Sequence, residues 1–132
     1  MKKELKSKVM SFGNRLSSRM DRHDAFVKAW QIVKAGGLEL AVKGVSFGVR
    51  QEALRRLARY GSEQVRAFIV PEPANAVDRK AAAVMAGVQY GRGLFCIGYV
   101  PAEYAPAAAG MKVAGLRVLD GDIRGCRLTL AV

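Results

Sequence analysis

The chain is poor in the side chains on which most catalytic and metal chemistry depends. It has one histidine, His23, and two cysteines, Cys96 and Cys126, thirty residues apart with no CxxC spacing. A structural zinc site draws about four ligands from these residue types, so the sequence excludes one in practice. Acidic residues are also scarce, with 11 Asp+Glu against 22 Lys+Arg and a formal net charge of +11. Long apolar runs are missing. The longest, residues 81–88 and 94–100, are far short of the roughly 20 residues that cross a bilayer, and the charged start, Met1 to Met10, lacks the apolar stretch of a signal peptide. The expectation is a soluble, cytoplasmic protein of a reducing compartment, in which both cysteines act as small buried hydrophobes. No cofactor and no metal are expected.

What is present is enough for one folded domain. The chain has 132 residues, and 51% of them are hydrophobic, which excludes wholesale disorder and a disulfide-stapled miniature fold. The positive charge points to a polyanionic partner, although basicity by itself leaves nucleic acid, an anionic membrane and simple solubility open.

Two regions are expected. Residues 1–37 form a basic N-terminal arm: 1–24 is rich in Lys, Arg and Ser, with Val9, Phe12, Leu16 and Met20 as a sparse apolar stripe interrupted by Gly13. A short helix follows over 24–35, stopped by Gly36-Gly37, and it is expected to pack Phe26 and Trp30 onto the next region. Residues 38–132 change period. Strands are expected over 38–43, 65–70, 81–88, 94–100, 112–119 and 126–132, with an amphipathic helix over 51–60 and a helical segment over 102–109 shortened by Pro106. Six strands with two small helices, joined by short turns, predict a mainly β (α+β) fold built as a compact six-stranded barrel.

Several patterns bear on chemistry. Gly44-Val45-Ser46-Phe47-Gly48 matches the hydrolase pattern GxSxG between a strand and a helix, but that chemistry needs a histidine after the serine and His23 precedes it. A tight turn is the better reading. Asp120-Gly121-Asp122 reads as a hairpin turn. Glu72 and Asp78 are a carboxylate pair with no nucleophile beside them in sequence, and Gly91-Arg92-Gly93 reads as a hairpin loop. The residue types suited to single-stranded nucleic acid are Phe47, Arg50, Arg79, Lys80, Tyr90, Arg92 and Tyr99, because aromatic faces stack on bases and cations follow phosphates.

Three segments taken in order carry a family resemblance: 42–51, from Val42 through Phe47 to Arg50 and Gln51; 70–84, with its Glu72-Pro73-x-Asn75-x-x-Asp78-x-x-Ala81 box; and Ile97-Gly98-Tyr99-Val100-Pro101. Over about residues 38–132 the chain resembles the HIRAN domain, of the free-standing bacterial or phage type. The resemblance implies a β-barrel related to oligonucleotide-binding folds and a non-enzymatic module that captures single-stranded DNA at its 3′-hydroxyl end, in DNA repair or replication. It implies that Asp78 accepts a hydrogen bond from the terminal 3′-hydroxyl, and an ionised carboxylate, an acceptor that repels phosphate, is suited to that choice. It implies that Phe47 stacks on a terminal base, a contact of about 1–3 kcal/mol, that Asn75 contacts a base edge or holds the loop presenting Asp78, and that Tyr99 meets a phosphate. Val77 stands where 3′-end-binding members carry a second stacking aromatic, and Ser46 where they carry a basic residue.

The partner expected is therefore single-stranded DNA, with no membrane and with a separate helicase or nuclease as a further partner. The alternative is a protein-interaction or targeting module without DNA affinity. A metal-dependent nuclease built on Glu72 and Asp78 is the third reading.

Overall fold

The computed structural model describes residues 3–89, 91, 93–108 and 111–131. The chain opens with two helices, α1 (Lys3–Leu16) and α2 (Arg22–Ala35). On α1 the stripe Val9, Phe12 and Leu16 is buried, and Gly13 joins it because the Phe26 ring of α2 lies directly on its backbone. A Cβ at Gly13 would come 2.5 Å from that ring, so the glycine permits the close crossing of the two helices. Asp21 caps α2 by accepting the His23 N–H at 3.1 Å, and Gly36, at φ +82°, ends it.

The helical pair packs into the same core as the strands. Phe12, Leu16, Ala25, Ala29, Ile32 and Val33 belong to one buried cluster with Leu40, Leu54, Val84, Ile97, Leu128 and Leu130. The expected anchors of α2 are only partly right. Phe26 is half-buried, whereas Trp30 is 41% exposed. The buried stripe of α2 is Ala25, Ala29, Ile32 and Val33, whose small members allow the helices to approach, and Trp30 lies about 100° round the axis from Ala29.

After Gly36 come β1 (Gly37–Ala41), α3 (Arg50–Leu57), β2 (Val65–Pro71), β3 (Ala82–Val88), β4 (Phe95–Tyr99), α4 (Ala105–Ala108), β5 (Lys112–Val118) and β6 (Cys126–Ala131). All strand pairs are antiparallel. One sheet runs β1-β6-β5 and the other β2-β3-β4. In β6 the inward residues Cys126, Leu128 and Leu130 alternate with Arg127 and Thr129, and Leu128 pairs with Leu40 on one side and Leu116 on the other. α4 is shorter than expected, with Pro106 in its first turn where the missing N–H is harmless.

The fold is α+β, with two three-stranded sheets rather than one closed six-stranded barrel. A closed barrel needs a ladder across every seam. Here the seam between β1 and β4 is a single bridge, in which Lys43 and Tyr99 exchange backbone hydrogen bonds of 2.8 and 2.9 Å. Across the other seam β2 and β5 are neighbours without a ladder. The loop between β5 and β6 is also broader than a tight hairpin: Gly121 sits in it at φ +134°, and Gln51 of α3 holds it by exchanging hydrogen bonds with the Arg124 backbone at 2.8 and 2.9 Å. Among the described residues no helix is long and apolar enough to cross a membrane.

Candidate functional site

Beside the Lys43–Tyr99 bridge lies an open cavity of about 630 Å³. Four stretches of chain converge on it. The turn after β1 supplies Lys43, Gly44 and Phe47, and the first residue of α3 supplies Arg50. The loop between β2 and β3 supplies Asn75, Val77, Asp78 and Ala81. The end of β4 supplies Tyr99 and Val100, and the approach to α4 completes the wall with Ala102 and Ala105.

The first stretch is shaped by its glycines. Gly44 and Gly48 adopt φ +74° and +57°, the left-handed backbone that a tight turn asks of glycine, and Ser46 between them is exposed. The turn leaves Phe47 67% exposed at the cavity. Arg50 folds back to donate to the Gly44 carbonyl at 2.6 Å. Its guanidinium carbon then lies 5.9 Å from the centre of the Phe47 ring and 5.3 Å from that of Tyr99, so one cation serves two aromatic faces.

The β2–β3 loop is held by its own polar side chains. The Asn75 carbonyl oxygen accepts the Val77 and Asp78 N–H groups, each at 3.0 Å, and its amide nitrogen donates to Glu72 Oε1 at 3.0 Å. Glu72 Oε1 also accepts the Tyr99 hydroxyl at 2.8 Å. Of the two roles open to Asn75, holding the loop is the one its bonds serve, since both ends of its amide are engaged there. Val77 projects from this loop 97% exposed, an apolar side chain at the cavity with no core to fill.

Asp78 Oδ1 accepts the Lys80 backbone N–H at 2.9 Å and Arg19 Nη2 at 2.6 Å. The Arg19 bond, helped by the Lys80 N–H, holds the Asp78 carboxyl below the usual carboxylate range. The Tyr99 phenol is shifted the other way. Its hydrogen bond to Glu72 favours the protonated form and raises its titration above the ordinary value, against a smaller opposing effect of the Arg50 charge.

The cavity thus gathers Phe47, Arg50, Asn75, Asp78 and Tyr99. Arg79 and Lys80 do not line it; both are exposed on the turn just beyond Asp78. Tyr90 and Arg92 lie outside the described residues. Glu72 and Asp78 engage different partners, Glu72 bonding Asn75 and Tyr99 and Asp78 bonding Arg19. Among the described residues no group of three or more His, Cys, Asp or Glu side chains could hold a metal.

Lys43 and Arg19 escaped sequence reasoning. Lys43 was legible as the end of a strand, and only the β1–β4 bridge brings it to the cavity. Arg19 sits in the turn between α1 and α2, fifty-nine residues before its partner Asp78, and nothing near it in sequence signals the contact.

No protein-family model, no curated protein and no solved structure matches the chain.

Proposed function

We propose that the cavity is a binding groove for single-stranded DNA and that it reads a free 3′-hydroxyl end, as the resemblance to HIRAN domains implies. On this reading the two sheets are an opened form of the family's oligonucleotide-binding barrel, and the protein is a cytoplasmic, non-enzymatic module that serves a separate helicase or nuclease in repair or replication. The observation that carries the reading is the convergence in one groove of two aromatic rings, Phe47 and Tyr99, with a cation, Arg50, and an acceptor-only carboxylate, Asp78. Rings supply sequence-tolerant stacking and Lys43 and Arg50 attract the backbone. A held, ionised carboxylate accepts from a hydroxyl and repels a phosphate, so it distinguishes a strand end from a continuing or phosphorylated strand. Phe47 supplies one stacking face, and the aliphatic Val77 takes the place of a second.

The test is fluorescence anisotropy with labelled single strands ending in a 3′-hydroxyl or a 3′-phosphate, beside blunt duplex, at two salt concentrations. The expected result is binding that weakens with salt and favours the free hydroxyl. Equal affinity for both ends would retire Asp78 as a reader, and no binding at low salt would refute the proposal. One surface supports the alternative of a protein-interaction module: Trp30 and Val27, one turn apart on α2, are 41% and 43% exposed. Partner capture that is insensitive to salt and abolished by Trp30→Ala would favour it.

A further inference from the structure

The contact that the groove's own residues do not explain is the one made to it by the N-terminal helical pair. We propose that Arg19 is a positioning residue of the groove: it grips Oδ1 of Asp78 from behind, so that Oδ2 is turned toward a hydrogen-bond donor on the ligand. The α1–α2 hairpin then belongs to the site. The inference rests on the reading of the groove as one that receives a strand end.

Three observations support it. The first is the division of labour on the carboxylate. Oδ1 takes both the guanidinium, at 2.6 Å, and the Lys80 N–H, at 2.9 Å, and among the described residues no donor reaches Oδ2. The second is direction. Asp78 lines the groove and Arg19 does not, although the two side chains are almost equally exposed, at 25% for Arg19 and 27% for Asp78. An arginine that plugged the groove against its ligand would line it, so the contact supports the carboxylate and does not compete for the space in front of it.

The third is the way Arg19 is delivered. The Ser17 and Ser18 hydroxyls donate to the Asn14 and Arg15 carbonyls at 2.8 and 2.9 Å, and the Arg19 N–H donates to the Leu16 carbonyl at 3.0 Å. These bonds close the end of α1 just after Leu16, which is fully buried. Gly13, lying under the Phe26 ring, sets how α2 leaves the turn. The turn that carries Arg19 is therefore anchored by buried Leu16, and the Arg19 side chain is held by a charge-assisted hydrogen bond. Without it, the Asp78 side chain keeps one backbone donor and gains freedom to rotate.

The experiment uses the full chain in wild-type, Arg19→Met and Arg19→Lys forms. The Asp78 carboxyl is followed by carbon-13 NMR through an acid titration, and the ratio of affinities for 3′-hydroxyl and 3′-phosphate single strands is measured by anisotropy. In Arg19→Met, Asp78 is expected to titrate higher than in wild type, and the preference for the hydroxyl end to fall several-fold toward equality. Arg19→Lys, which restores a cation without the planar fork, is expected to recover part of both. Amide spectra report whether each variant is folded; if Arg19→Met is not, the Lys form decides by the same two readouts, its values displaced from wild type in the same directions. An Asp78 titration that does not move overturns the proposal, as does an end preference that does not change. If wild type itself shows no preference between the ends, the strand-end reading fails separately. Arg19 is then judged by the titration alone, with an upward shift sustaining its positioning of Asp78 and no shift removing it.

Discussion

Adding one methyl group at Gly98 tests both the seam between the sheets and the groove beside it. Gly98 lies in β4 at φ +152°, where an L side chain is strained, and a Cβ there would come 2.4 Å from the Lys43 carbonyl oxygen and 2.6 Å from Val42 Cγ1. The first of these is a backbone atom. It cannot swing aside, because it accepts the Tyr99 N–H at 2.9 Å in what is, among the described residues, the only bridge between β1's extension and β4. Overpacking of this kind costs about 1–3 kcal/mol, and the strained backbone adds about 1–3 kcal/mol. The expected loss in Gly98→Ala is therefore about 2–6 kcal/mol, a large part of the roughly 5–15 kcal/mol by which such a domain is stable. For a chain of this size it corresponds to a fall in Tm of at least about 6 °C.

Gly115→Ala is the control. A Cβ at Gly115 meets nothing within 4 Å and its φ is not left-handed, so the substitution should be neutral or stabilise by up to about 1 kcal/mol through the unfolded chain. The assay is urea and thermal unfolding of wild type and both variants, followed by circular dichroism. A Gly98→Ala variant that melts within about 2 °C of wild type, or a Gly115→Ala variant that loses as much, would refute the reasoning.

Three further outcomes follow from the site and the core. Tyr99→Phe removes the hydroxyl that donates to Glu72 and is expected to cost about 1 kcal/mol in urea unfolding. Since the Tyr99 phenol titrates above its ordinary value, its contribution is complete below about pH 10 and lost as pH rises through the higher folded value. Glu72→Gln should bring that titration back down, read as the ultraviolet difference between each protein and its Tyr99→Phe counterpart. Cys126 is 2% exposed, and burial pushes its thiol up to about 12; native protein treated with iodoacetamide at pH 8 should be modified at the half-buried Cys96 and spared at Cys126, as peptide mass spectrometry will show.

Much of this was legible along the chain. The six strands were marked by a change of period after Gly36-Gly37, and they lie at 37–41, 65–71, 82–88, 95–99, 112–118 and 126–131. The loop carrying Asn75 and Asp78 was marked by its prolines and its asparagine, and the turn carrying Phe47 by two glycines in left-handed backbone. These signals are short-range. Each depends on a residue's own dihedral preference or on a hydrogen bond spanning two or three positions, so a linear reading recovers them. The net charge and the scarcity of metal-ligating side chains are sums over the chain and need no fold at all.

Tertiary structure decided the rest. Helical periodicity showed that α2 has an apolar face, but Ala25 and Ala29 were chosen over Trp30 by how closely α1 approaches, and that depends on Gly13 meeting the Phe26 ring. Whether six strands close a barrel depends on seams between residues far apart in sequence, and among the described residues one seam is a single bridge and the other has no ladder. The Arg19–Asp78 pair spans fifty-nine residues. No local preference encodes such a contact, because it exists only when two separately folded pieces are brought together by burial of a common core, and burial specifies that residues are inside without naming their partners.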